Sequence, residues 1–171
     1  TYTVSKFQTG CGTVDIMMHT LERWFSHEKD TELTDYLAEG VLKTVMHQAK
    51  VLLTDPENYE ARSEVFWAGS LSHNGLTGCG RAGDWACHQL EHELGGMFDV
   101  THGAGLAAVW GSWARYVYKS DVDRFAKLAV DVLGIPYDYA DPERTVLEGI
   151  EAMEDFFRSI HMPVSISELG V

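Results

Sequence analysis

Apolar residues at Val14, Met17, Met18, Leu21, Trp24 and Phe25 return at helical steps, and this period constrains the chain more than any other feature. A period near 3.6 lays apolar side chains along one face of a helix, whereas a half-buried strand needs strict alternation. The pattern returns between Leu33 and Leu53 through Leu37, Val41, Val45, Ala49 and Leu52. The four prolines, at positions 56, 136, 142 and 163, fall between or at the edges of such intervals. The segment from Thr54 predicts a turn, a helix with Pro56 in its first turn, and a stop at Asn74-Gly75. Asp84 is the expected N-cap of a short helix ending at Gly95-Gly96. Further helices are expected over 103–118, 121–133 and 142–160, the last opened by Asp141-Pro142. Only "TYTVS" at the start hints at a strand. No repeat, low-complexity tract or linker interrupts residues 1–171, so the expectation is one all-α, bundle-like domain.

Charge removes some functions. A formal charge of −13 leaves no basic footprint with which to neutralise a phosphate backbone. No apolar run reaches the roughly 20 residues that span a bilayer, and "TYTVSKFQTG" lacks the basic head and apolar stretch of a signal peptide. Three cysteines, Cys11, Cys79 and Cys87, are too few for a disulfide framework and suggest a reduced, cytoplasmic protein.

The stretch "GCGRAGDWACHQLEHELGGMFDVTHG", residues 78–103, carries three competing signatures. Gly78, Gly80 and Gly83 spell G-x-G-x-x-G, but that fingerprint binds a dinucleotide only between a strand and a helix. Here a helical pattern precedes it, so the glycines are expected to form a loop. His88, Glu91 and His92 spell H-x-x-E-H, in which two imidazoles four apart share a helix face and the glutamate serves as general base of a zinc peptidase. The bland alternative is a polar helix face, and the pentapeptide alone does not decide between them. His102 follows at the start of the next helix, and "VDIMMHTLERWF" places Asp15 and His19 four apart on another. A carboxylate and an imidazole from one helix, facing imidazoles from two others, make a mononuclear metal cage. A helical metal-binding module without catalysis would show the same residues with a closed coordination sphere. His27, His47, His73 and His161 have no second ligand at useful spacing, and the acidic segment 26–39 reads as solvated surface.

The pairing of D-x-x-x-H with H-x-x-x-H-x9-H-G resembles the iron-containing (group III) alcohol dehydrogenases. The wording "YTVSKFQTGCGTVDIMMHTLERWF", "DWACHQLEHELGGMFDVTHG" and "FFRSIHMPVSISELGV" is similar to the butanol dehydrogenase-like branch, over essentially the whole chain. The resemblance implies Asp15, His19, His88 and His102 as ligands to iron(II) or zinc(II). It makes His92 a non-ligand beside the metal, near substrate and nicotinamide. It implies reversible hydride transfer between NAD(H) or NADP(H) and a small alcohol or aldehyde, with butanol as the type substrate, in a homo-oligomer. It also implies an N-terminal α/β domain for the nicotinamide cofactor, and further C-terminal helices, both outside these 171 residues. The chain is then expected to be the metal-binding half of a larger enzyme, able to fold but not to catalyse alone. The loop at Gly78–Gly83 is expected to close one side of the substrate pocket, with Cys79 and Trp85 as packing residues.

Overall fold

The computed structural model describes residues 2–171, and among them the regular structure is entirely helical. Seven α-helices follow in order: α1 Lys6–Trp24, α2 Glu32–Thr54, α3 Tyr59–His73, α4 Ala86–Phe98, α5 His102–Val117, α6 Val122–Asp131 and α7 Pro142–Ser159. Short 3-10 turns at Leu76–Gly78, Tyr118–Ser120 and Ile166–Leu169 bend the connections. No described helix is long and apolar enough to cross a membrane.

The apolar period read from the sequence is the face that packs. Met17, Met18, Leu21 and Trp24 of α1 are fully buried, against Leu42 and Val45 of α2 and Leu106 and Trp110 of α5. Ile150, Met153 and Phe157 of α7 complete the same core. Because α1 packs on α2, α3, α4 and α5, a side chain on its outer stripe meets three different helices. One close approach sets the α1–α5 spacing. A Cβ at Gly103 would run into the backbone of Cys11, so only glycine lets α5 lie this near α1 directly after His102.

Several boundaries differ from the expected ones, each for a local reason. Helix α1 starts at Lys6, eight residues before the apolar pattern, because Ser5 accepts a hydrogen bond from Gln8 N at 3.1 Å and caps it. Pro56 lies in the turn ahead of α3 rather than in its first turn. Asn58 is the cap, accepting from Ala61 N at 2.9 Å. At α4 the cap position belongs to Trp85, held left-handed at φ 66°, while Asp84 accepts from Ala86 N at 2.9 Å from one residue outside. Gly95 and Gly96 do not end α4. The helix runs to Phe98 and stops at Asp99, which takes the left-handed conformation (φ 56°) that short polar side chains tolerate. Residues 2–4 of "TYTVS" form turns and bends, not a strand, and Thr1 lies outside the described residues.

The acidic segment is not wholly a solvated surface. Asp35 and Glu39 are buried, because α6 and the loop before α4 bring cations onto them. Arg124 reaches both Asp35 oxygens at 2.7 Å, Arg81 pairs with the same carboxylate, and Lys127 lies 2.9 Å from Glu39. The Arg124 guanidinium also stacks over Trp24 at 3.9 Å.

Candidate metal centre

The candidate ligands come from the starts of two helices and the middle of a third. Asp15 and His19 lie one turn apart on the outer stripe of α1, His88 sits in the first turn of α4, and His102 opens α5. The fold brings all four together. Asp15 Oδ1 lies 3.6 Å from His19 Nε2, 3.7 Å from His88 Nε2 and 3.4 Å from His102 Nε2. A tetrahedron of nitrogen and oxygen ligands about 2.1 Å from a metal has edges of about 3.4 Å. One carboxylate oxygen thus stands at ligand-to-ligand spacing from three imidazole nitrogens.

The polar atoms around this point fit a divalent cation. Asp15 Oδ1 and His88 Nε2 are buried and without a hydrogen-bond partner. Orphaned buried donors and acceptors are rare unless something else satisfies them. Oxygen and imidazole nitrogen together suit zinc(II) or iron(II).

Two buried carboxylates aim the imidazoles. Glu22, on α1 and only 1% exposed, bonds His88 Nδ1 through Oε2. Its Oε1 accepts from the backbone of Cys87 at 2.6 Å and of His88 at 3.2 Å. An acid from α1 therefore caps the exposed amides of α4, whose own cap residue supplies no side-chain bond, and turns His88 Nε2 inward. Glu91, equally buried, bonds His102 Nδ1 across the α4–α5 contact. A Cβ at Gly105 would stand 2.6 Å from Glu91 Cγ, so a residue without a side chain leaves room for this carboxylate. Holding the far nitrogen of a ligand histidine selects its tautomer and its direction.

Charge follows geometry. Burial would raise the Asp15 carboxyl, but the imidazoles of His102 and His88 beside it outweigh that and hold the group well below the usual carboxylate range. Burial would lower His88, yet the carboxylates of Asp15 and Glu22 push it up to about 9. His102 is raised by the Asp15 carboxylate beside it, with Glu91 adding to the effect. His19 has no buried acid of its own on its far nitrogen. Burial takes it down to about 4, with only partial help from Asp15.

His92 stands beside the cluster on the exposed side of α4. Its ring is 5.6 Å from that of His102 and nearly parallel to it, and 6.1 Å from that of His88. Glu91, His92 and His102 also bring donor atoms within 4.8 Å of one another. Because His102 occupies the Glu91 carboxylate, we read this group as the outer side of the same centre. The peptidase arrangement asks Glu91 to work on water beside the metal, and a buried carboxylate already bonded to His102 is not placed to do so.

The glycine loop matches its expected role as a turn. Helix α3 precedes it, and Gly80 and Gly83 take left-handed conformations at φ 76° and 80°. Trp85 does more than pack in a loop: its indole meets the edges of His19 at 5.5 Å and His88 at 5.3 Å and carries Arg23 on its face at 4.7 Å. Cys79 is exposed, with its Sγ 3.7 Å from Gly75 O.

Glu22 and His73 were missed in the sequence. Glu22 follows His19 by three residues and shares its helix face, a signal that was there to be read. His73 gave no such signal. It arrives from the end of α3, with Nε2 3.3 Å from Asp15 Oδ2 and its ring 3.8 Å from that of His19.

An all-helical domain with a carboxylate and three imidazoles converging from three helices defines a class: a helical domain with a cluster suited to one divalent cation. The particular family follows from comparison. The profile of the Fe-containing alcohol dehydrogenase family, C-terminal region, matches residues 9–171, and the chain belongs to that family. It is 37% identical over 172 residues to the NADH-dependent butanol dehydrogenase A of Clostridium acetobutylicum, covering 100% of this chain and 44% of that protein. The substrate- and cofactor-free aldehyde reductase YqhD of E. coli superposes with a TM-score of 0.95 at 32% identity, over 100% of this chain and 44% of that one. The NADH-dependent butanol dehydrogenase A of Thermotoga maritima gives the same TM-score at 36% identity, over 99% and 42%. The chain thus spans less than half the length of the relatives it matches.

Proposed function

We propose that this chain is the metal-binding, catalytic part of an NAD(P)H-linked alcohol dehydrogenase or aldehyde reductase acting on short-chain alcohols such as butanol. Asp15, His19, His88 and His102 hold the metal, iron(II) or zinc(II). The observation that carries the reading is the single Asp15 oxygen facing three imidazole nitrogens at 3.4 to 3.7 Å. The relatives' names support the reaction class and both nicotinamide cofactors. When bound, the cation supplies Lewis acidity, which commonly lowers the barrier to carbonyl reduction by several kcal/mol.

The chain's own residues do the rest. Glu22 and Glu91 keep the Nε2 lone pairs of His88 and His102 pointed at one place, so little reorganisation accompanies the reaction. Trp85 walls the His19 and His88 side against water. His92, exposed and stacked beside His102, passes a proton between the substrate oxygen and solvent. The nicotinamide is held mainly by a cofactor domain in the part of the relatives' length beyond this match, so the 171 residues fold but do not catalyse alone.

The test is metal content and aldehyde reduction in the full-length protein, for the wild type, His102→Ala and His92→Phe. The expected result is loss of metal and activity in His102→Ala, and retained metal with turnover lowered by about 100-fold or more in His92→Phe. Metal lost on replacing His92 but kept on replacing His102 would restore the peptidase reading. Elemental analysis of the wild type separates iron from zinc.

A further inference from the structure

Each histidine that carries a buried acid on its far nitrogen is thereby aimed, His88 by Glu22 and His102 by Glu91. Asp15 is a candidate ligand too, and a carboxylate can rotate to present either oxygen or both. Its Oδ1 faces the imidazoles. Its Oδ2 has one hydrogen-bond partner among the described residues, Nε2 of His73 at 3.3 Å.

We propose that His73 is a positioning residue for the metal centre: it holds Asp15 Oδ2 outside, so that Oδ1 alone meets the metal. The proposal rests on the reading of Asp15 as a metal ligand.

A histidine in the last turn of a helix often does no more than answer its own carbonyls. His73 does approach Gly69 O, with Nδ1 at 2.9 Å. That contact does not explain the other nitrogen, which lands on a residue 58 positions away in sequence. The proton on Nε2 follows from its partner. An unprotonated Nε2 would set a lone pair against the Asp15 carboxylate, so the proton belongs on Nε2, donated to Oδ2. On its other side the ring is held at Nδ1, 2.7 Å from the buried Ser72 Oγ, whose hydroxyl donates to Gly69 O at 2.9 Å. The ring is thus anchored to the end of α3 by Nδ1 and donates to Asp15 through Nε2. The His73 ring also lies on that of His19 at 3.8 Å, tilted by 32°, so one side chain from α3 touches both α1 ligands. Arg23 holds α3 in place for this, bonding His19 O and, at 2.7 Å, Ser72 O.

The experiment loads the metal-free, full-length protein with cobalt(II) and reads affinity and visible absorption for the wild type, His73→Leu and His73→Gln. Leucine keeps bulk and removes the donor, whereas the glutamine amide can still donate to Oδ2. His73→Leu is expected to weaken cobalt(II) binding by about tenfold to a hundredfold, the usual effect of losing a partner of a ligand. It should also change the d–d bands as the carboxylate loosens, and His73→Gln should restore both readings toward wild type. Unchanged affinity and bands in His73→Leu would overturn the proposal and leave the metal reading standing. A loss shared equally by His73→Gln would overturn it as well, because ring packing on His19, not donation, would then be what matters. No cobalt(II) bound by the wild type would sink the metal reading and this proposal with it.

Discussion

One buried and one partly buried polar cluster flank α1, and they resolve their charge differently. At one, Asp35 sits between Arg81 and Arg124, with the Glu39–Lys127 pair beside it and Trp24 under the Arg124 guanidinium. The cations come from the chain itself, and the cluster ties α2 to α6. At the other, the Nε2 atoms of His19, His88 and His102 surround one Asp15 oxygen at 3.4 to 3.7 Å. The carboxylates behind them, Glu22 and Glu91, add negative charge at the far nitrogens of His88 and His102. Clusters that neutralise themselves hold elements together. A cluster left with unpartnered polar atoms around a shared point is, on the function proposed above, where an ion completes the set.

The largest expected effect breaks the comparison at its structural side. Asp35→Ala leaves two guanidiniums facing each other without their carboxylate, and stability measured by urea unfolding should fall by about 3–5 kcal/mol. Metal bound per folded molecule should stay at the wild-type level. Metal loss in the folded Asp35 variant would mean the two clusters are coupled through α1.

The reverse substitution sharpens the contrast. Glu22→Gln takes the charge from behind His88, and metal affinity should drop by about tenfold to a hundredfold by competitive chelator titration. Unfolding free energy of the metal-free protein should fall by only about 1 kcal/mol, because the amide oxygen still caps α4. An affinity equal to wild type would remove Glu22 from the centre.

Proton competition gives a smaller effect with a defined sign. In the metal-free site His88 is held at about 9, so it carries a proton at neutral pH that a metal must displace. His19, taken down to about 4, is already neutral there and adds no dependence. Affinity should therefore rise at least about tenfold per pH unit between pH 6 and pH 8. For folding of the metal-free chain the sign reverses. The raised His88 contributes stability that is fully present below the ordinary histidine value and lost as pH rises through about 9. Metal affinity independent of pH in that window would contradict the charged His88.

The smallest expected effect lies at the rim of the structural cluster. Lys127 is one-third exposed, so Lys127→Ala should cost under about 1 kcal/mol and leave metal binding untouched. A larger loss would show that Glu39, which is buried, depends on it.

What local pattern encodes was legible in advance. Helical periods exposed the helices, and steps of three and four placed Asp15 with His19 and His88 with His92, because side chains one turn apart share a face in any helix. The same rule reaches Glu22, three residues past His19 on α1. Helix ends were legible only in part. Asn58 and Asp99 set them where Pro56 and Gly95-Gly96 had suggested otherwise, since a cap depends on one residue's backbone conformation rather than on composition.

Tertiary structure alone decided the pairings between helices. Whether Glu91 points at substrate or at His102, whether the acids at 35 and 39 meet water or arginine and lysine, and whether His73 ends a helix or touches Asp15 are matters of distance between segments far apart in the chain. They turn on close approaches such as that of Gly103 to Cys11, and no local period records which neighbour a side chain will meet across such a contact. The sequence by itself determined which faces would be apolar and which residues could ligate. Packing determined which polar groups lost their water, and therefore which of them had to find a partner.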